Sequence, residues 1–384
     1  MPKELTMKDK LYRHGLAKTV TILMMIAVLV AAVAMIRIYI EGKHYSQFEV
    51  VDTFNKVGAE TSSFRDYQGN LLVYSNDGVS AYNTKGKQLW NKTYEMQSPI
   101  VKVKGNYVAC ADYKGGRIYV MDENGPACEI ETNMPVIDLN LSEKGVVAAT
   151  LQEDKITWIK VYSSEGVEIS EIKTTMEKSG YPIATAISAD NVKLGVSCLK
   201  PQGSGVSTSV AFYNFGDVGQ NETDHLVSGK DFEGSMIPFL EYAGNDNAIA
   251  ISEDRFMIYK GKEKPALEEE IELKEEVKSV FYSENYVALV FNNTESEQAY
   301  RMDLYDMSGK QMFSYVFDME YHNVLIRNDY VLVYNEEEVI ILDKKGKEKY
   351  NGNMGGNIVS IVPTETKWKF LIVRSDEIEV IKLY

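Results

Sequence analysis

Scarce nucleophiles and metal ligands limit the chemistry open to this chain. Its 384 residues include four histidines and three cysteines. His14 lies in the basic N-terminal tail and His44 just after the apolar segment that follows it, which leaves His225 in the polar stretch QNETDHLVSG and His322 after Tyr321. Neither has a cysteine or a second histidine at zinc-ligand spacing, so both are expected as surface or strand-end residues. There is no GxSxG elbow, no phosphate-binding P-loop and no GxGxxG turn leading into a helix. The densest acidic run is Glu268, Glu269, Glu270, Glu272, Glu275 and Glu276. Such carboxylates suit a calcium ion or a basic partner. With no DxDxDG loop, and with Leu267, Ile271 and Leu273 between them, they read instead as a solvated outer strand that uses charge to resist edge pairing. No catalytic residue, metal ligand or cofactor is assigned, and the chain is expected not to be an enzyme.

Binding is the remaining chemistry. The 25 tyrosines can line a ligand site, but in a sheet they more often pack. Sequons at Asn91, Asn221 and Asn292 matter only in a glycosylating host. The longest insertions are Pro201 to Thr208, Asn292 to Gln298 and Thr174 to Tyr181, with Gly216 to Ser228 as a further one. Binding residues favour loops held on a rigid scaffold. Tyr181, Gln202, Asn293 and Glu295 are therefore the candidate partner-binding residues.

The elements that position them are short strands. After Phe48, apolar runs recur every 8–12 residues or so between turns, and no helical period is sustained. One unit is explicit: Ile100 to Val103, Tyr107 to Ala111, Arg117 to Asp122 and Ala127 to Thr132 are four strands with tight turns, one propeller blade. First strands are expected near Ser62, Pro99, Met134, Tyr181, Ser235, Val277, Tyr321 and Asn357. The turn between third and fourth strands repeats as a polar cap with a glycine three residues on: Asn83/Gly86, Asp122/Gly125, Ser163/Gly166, Asp306/Gly309 and Asp343/Gly346. Such a side chain bonds the turn backbone, and glycine accepts positive φ. Eight first strands over residues 48–384 give about 42 residues per blade, the spacing of a propeller. The last blade has three strands, and Phe48 to Phe54 is expected as its fourth, which closes the ring. Seven blades is the alternative, because blades 3 to 5 are the least regular. In this arrangement the first three insertions share one face, here the first face. It carries the turns between second and third strands and the connections between blades.

Ahead of the strands, Thr19 to Ile36 (TVTILMMIAVLVAAVAMI) carries no charge, and Ile38 to Ile40 continue the run past Arg37. About 20 apolar residues span a bilayer as a helix. Lys3, Lys8, Lys10, Arg13 and Lys18 precede it, which by the positive-inside rule places the N-terminus in the cytoplasm. The expected layout is a cytoplasmic basic tail (1–18), a transmembrane helix (19–40), a short linker (41–47) and an extracytoplasmic propeller (48–384). A cleaved signal peptide ending at Ala32-Val33-Ala34 is the alternative. Six of the 41 basic and three of the 56 acidic residues lie in residues 1–42, so the remainder carries a net charge of −18. That acidity excludes a nucleic-acid binder and favours basic partners. Cys110 and Cys128 fall on non-adjacent strands of one blade and Cys198 two blades away, so buried free thiols are expected rather than a disulfide.

The unit Ala81-Tyr82-Asn83-Thr84-Lys85-Gly86-Lys87-Gln88-Leu89-Trp90 resembles the repeat of quinoprotein-like propellers, one residue shorter than usual. Eight four-stranded blades are similar to the outer-membrane assembly lipoprotein of that superfold. The combination of basic tail, anchor helix and outer propeller resembles an uncharacterised family of bacterial single-pass membrane proteins. That resemblance implies a fold and an address but no activity. The expected role is a binding module, a scaffold or sensor that docks another envelope protein. A glycan- or small-ligand-binding propeller and a quinoprotein-like enzyme are the alternatives.

Overall fold

The computed structural model describes residues 21, 23–32, 35, 42–294 and 296–384. The chain divides into two compact units, Met1–Tyr45 and Ser46–Tyr384. In the first, residues 23–32 are helical, and Leu23, Met24, Met25, Ile26, Val28, Leu29 and Val30 are exposed. The tail 1–18 and much of the span expected at 19–40 lie outside the described residues. Among the described residues, no helix is long and apolar enough to cross a membrane.

The second unit is an all-β, eight-bladed propeller of four-stranded antiparallel sheets, so the count is eight and not seven. The first strands of blades 1 to 7 are Ser63–Tyr67, Pro99–Lys104, Val136–Leu141, Tyr181–Ile187, Phe239–Ala243, Val277–Tyr282 and Asn323–Ile326, and that of blade 8 is Ser360–Pro363. Neighbouring first strands touch, as in blades 2 and 3, 4 and 5, 6 and 7, and 8 and 1. They therefore form the inner ring around the axis. Second strands are buried on both faces, such as Tyr330–Tyr334, which explains why they read as continuous apolar runs.

Closure uses both ends of the propeller. Strand Phe48–Asn55 pairs antiparallel with Glu377–Leu383, from Phe48 opposite Leu383 to Asn55 opposite Glu377. Leu71 and Val73 of blade 1 pack with Val362, Leu371, Ile378 and Val380 of blade 8, and Phe54 lies against that cluster. The repeated turn also works as its residue types require. Asn83 Oδ1 accepts the amides of Lys85 and Lys87, each at 3.0 Å. Asp306 and Asp343 accept the equivalent pairs at 2.8–3.1 Å. Gly86 sits at φ 75°, and a Cβ there would lie 2.6 Å from the Phe54 ring. Only glycine lets the turn meet the closing strand.

Blades 4 and 5 are joined by a buried cation. The Lys193 side chain is 1 % exposed, and its Nζ lies 2.9 Å from Asp190 and 3.5 Å from Asp246. Burial pushes the Asp190 carboxyl up, but hydrogen bonds from Ser188 and Lys193 outweigh it and hold the pKa below its usual value. Removing Asp190 leaves the buried Lys193 charge only the longer contact to Asp246, whereas removing Lys193 leaves two carboxylates that reach solvent. Asp190→Ala should cost about 3 kcal/mol at neutral pH and Lys193→Met much less. The Asp190 contribution exists above the unfolded carboxylate value near 3.8 and disappears as pH falls through the lowered folded value. The urea midpoints of the parent and of Asp190→Ala should therefore converge below about pH 4.

The cysteines are free thiols. Burial pushes Cys110 and Cys198 up to about 12, and Cys128 is half-buried. A thiol reagent at pH 8 should reach Cys128 alone in the native protein and all three after denaturation. Rapid native labelling of Cys110 or Cys198, followed by mass spectrometry, would contradict this packing.

Candidate functional site

The first face presents several exposed apolar side chains. Tyr113 (45 % exposed) lies on the second-to-third turn of blade 2, and Met176 (48 %) on the connection from blade 3 to blade 4. Val206 (39 %) lies near the second-to-third turn of blade 4, and Met236 (51 %) on the connection to blade 5. These four positions belong to turns and connections of blades 2 to 5 that emerge on the same face, here called the apolar sector. Lys114 Nζ lies 5.3 Å from the Tyr113 ring. Beside Tyr113 a cavity of about 600 Å³ is lined by Glu95, Asp112, Glu131 and Arg117 among others. Three carboxylates to one guanidinium give it an acidic lining.

Of the sequence-derived candidates, Tyr181 joins this sector. Burial first, then the nearby Tyr113 and Asp138, push its hydroxyl pKa up. It lines a cavity of about 280 Å³ with Asp138 and Thr150, which neither Gln202 nor Asn293 lines. Gln202 does not lie in a loop. Strands Lys193–Gln202 and Gly205–Asn214 pair to their ends, with Gln202 opposite Gly205, so Pro201 to Thr208 form a hairpin arm around Gly203-Ser204. The alternating, β-branched sequence Val206-Ser207-Thr208 extends the strand there. Thr208 is fully buried, and its hydroxyl donates to the Ser235 carbonyl at 2.7 Å. At the arm's tip, Gln202 Nε2 donates to Glu233 Oε1 at 3.1 Å. Asn293 lies two blades away, on the loop of blade 6, and donates to the Gln298 carbonyl at 2.8 Å. Glu295 lies outside the described residues. Tyr181 and Gln202 therefore share blade 4, and Asn293 belongs to a separate part of the face.

Glu268, Glu269, Glu270 and Glu272 of the acidic run lie on a solvated outer strand, whereas Glu275 and Glu276 fall on the connection after it, where Glu275 pairs with Arg301. Ala266–Glu272 is the fourth strand of blade 5, with Leu267 and Ile271 turned to the core. Glu270 meets Lys230 at 3.3 Å and Arg255 at 2.9 Å. His225 Nδ1 lies 3.2 Å from the Gly219 carbonyl, and the His322 amide donates to Tyr334. Among the described residues no group of three or more His, Cys, Asp and Glu could hold a metal.

A second constellation, on the axis, could not be found by spacing. Inner segments of blades that do not adjoin bring charges together. Lys104 of blade 2 forms an ion pair with Glu241 of blade 5, which is 5 % exposed. The carboxylate of Glu241 is the first cause, ahead of burial, of a raised pKa at Tyr282 in blade 6. Arg327 of blade 7 pairs with Asp66 of blade 1. Burial raises the Asp66 carboxyl despite that guanidinium. Arg65, Asp66, Lys104, Glu284 and Arg327 all line an axial cavity of about 440 Å³. The available signal was the presence of charges on innermost strands, at Arg65-Asp66, Lys104 and Glu241.

No curated protein matches the sequence. Among solved structures, Sqt1 of Saccharomyces cerevisiae is similar with a TM-score of 0.57 at 12 % identity, over 89 % of this chain and 99 % of that one. BamB from Moraxella catarrhalis is similar with a TM-score of 0.51 at 11 % identity, over 88 % of this chain and 100 % of that one. At such identities the likeness is one of fold. The sequence model of DUF5711, a family of unknown function, matches residues 41–383, and the chain belongs to that family.

Proposed function

We propose that this chain is a non-catalytic protein-interaction module held at the cell envelope, with the propeller outside the membrane and the first face as its docking surface. The observation that carries the reading is the apolar sector formed by Tyr113, Met176, Val206 and Met236, set beside an acidic cavity. Aromatic and methionine side chains on a rigid frame are the usual core of a protein interface. The net charge of −18 beyond residue 42 and the carboxylates at Glu95 and Glu131 select the partner's chemistry. It is a protein surface that offers apolar side chains flanked by lysine or arginine. The address rests on the uncharged run from Thr19 to Ile36 and the basic residues ahead of it.

Affinity purification of the full-length protein after crosslinking in native membranes tests the role. One stoichiometric protein partner is expected, released by raised salt because the rim is charged. Absence of any enriched protein would contradict it. Protease added to intact cells, after removal of any outer barrier, tests the address: the propeller should be cut and the tail 1–18 protected.

A further inference from the structure

The axial cavity holds two unmatched charges of opposite sign. Of its three cations, Lys104 is paired with Glu241 and Arg327 with Asp66. Arg65 has no carboxylate partner: its Nε donates to the Tyr74 hydroxyl at 3.2 Å, and the remaining guanidinium donors meet no acceptor among the described residues. On the same cavity, Glu284 has no cationic partner among the described residues. A simple anion would be drawn to Arg65 but repelled by Glu284. A simple cation would find Glu284 but meet three positive side chains. A ligand that carries both charges satisfies both, with its carboxylate on the planar guanidinium and its ammonium on Glu284. Phe64, Val103, Leu325 and Ile361 supply apolar wall between the polar groups. At about 440 Å³ the space lies in the range of small-ligand sites and exceeds what one amino acid fills.

We propose that the axial cavity binds a short zwitterionic peptide, two or three residues long with free ends and apolar side chains. The site is separate from the first-face sector and does not depend on it. The test is calorimetric titration of the full-length protein in detergent with trileucine, its N-acetyl form, its C-terminal amide and the doubly capped peptide. Trileucine should bind, and capping either end should weaken binding at least tenfold. Arg65→Gln should erase the preference for a free carboxylate, and Glu284→Gln the preference for a free amine. Both side chains are exposed, so the thermal midpoints of the variants should match the parent and exclude unfolding as the cause. Three results would overturn the proposal: no heat with millimolar trileucine, equal binding of any capped peptide, or full discrimination retained in both variants.

Discussion

Arg374→Ala should destabilise the propeller by about 3–5 kcal/mol, the largest single-residue effect expected in this chain. Arg374 lies on the second-to-third turn of the closing blade. Its Nε and Nη2 hold Glu379 at 2.8 and 2.7 Å. Its Nη groups also donate to the carbonyls of Met354, Gly355 and Gly356 at 2.7–3.1 Å. One guanidinium therefore pins the connection from blade 7 to the strand that ends the chain. Both side chains of the pair are largely buried, at 11 % and 15 % exposure. Alanine strands the Glu379 carboxylate and frees three carbonyls. Lysine cannot reproduce the fork and should recover only part of the loss. The double change Arg374→Met with Glu379→Met should be milder than Arg374→Ala, because it leaves no unpaired charge at that position. Chemical denaturation of the four proteins reads this directly. An Arg374→Ala midpoint within error of the parent would show that closure does not depend on the clasp.

Met176→Asp combined with Met236→Asp should reduce partner capture at least tenfold, or about 1.4 kcal/mol, while leaving the unfolding midpoint nearly unchanged. Both methionines are half-exposed on connections between blades, so the folded core loses little. The bound state loses the apolar contact and gains two buried charges. The matched control is Asn124→Asp with Lys344→Asp, on turns of the opposite face, which should leave capture intact. Quantitative recovery of the crosslinked partner compares the pair. Equal recovery in both would show that the first face does not dock the partner.

Much of this architecture is legible in the residue pattern, because a propeller repeats its local rules. Pro99, Tyr181 and Val277 begin first strands where the alternation and turn residues place them. The polar cap and glycine recur in the turns because each blade needs the same reversal. The closing strand is legible because the last blade lacks a fourth strand of its own. The hairpin arm at Pro201 to Thr208 is not: a proline and two glycines imitate a loop while Val206 and Thr208 continue the ladder. The axial constellation is not legible either. Lys104 and Glu241 are 137 residues apart, and Asp66 and Arg327 are 261 apart. Only closure of the ring brings them within reach, and no local spacing encodes that. Tyr181 opens a first strand beside a connection and lies near Tyr113. Met176 and Met236 carry no signal in the sequence, because a single exposed methionine makes no pattern, and only the fold sets both on connections of one face.

The most direct test of the docking surface is site-specific photocrosslinking of the full-length protein in its own membranes. A photoreactive residue is placed in turn at Tyr113, Met176 and Met236 on the first face, and at Asn124 and Lys344 on the other. One discrete adduct of the same size is expected from each first-face position and none from the opposite face. Adducts from Asn124 and Lys344, or none from the first-face positions, would contradict it.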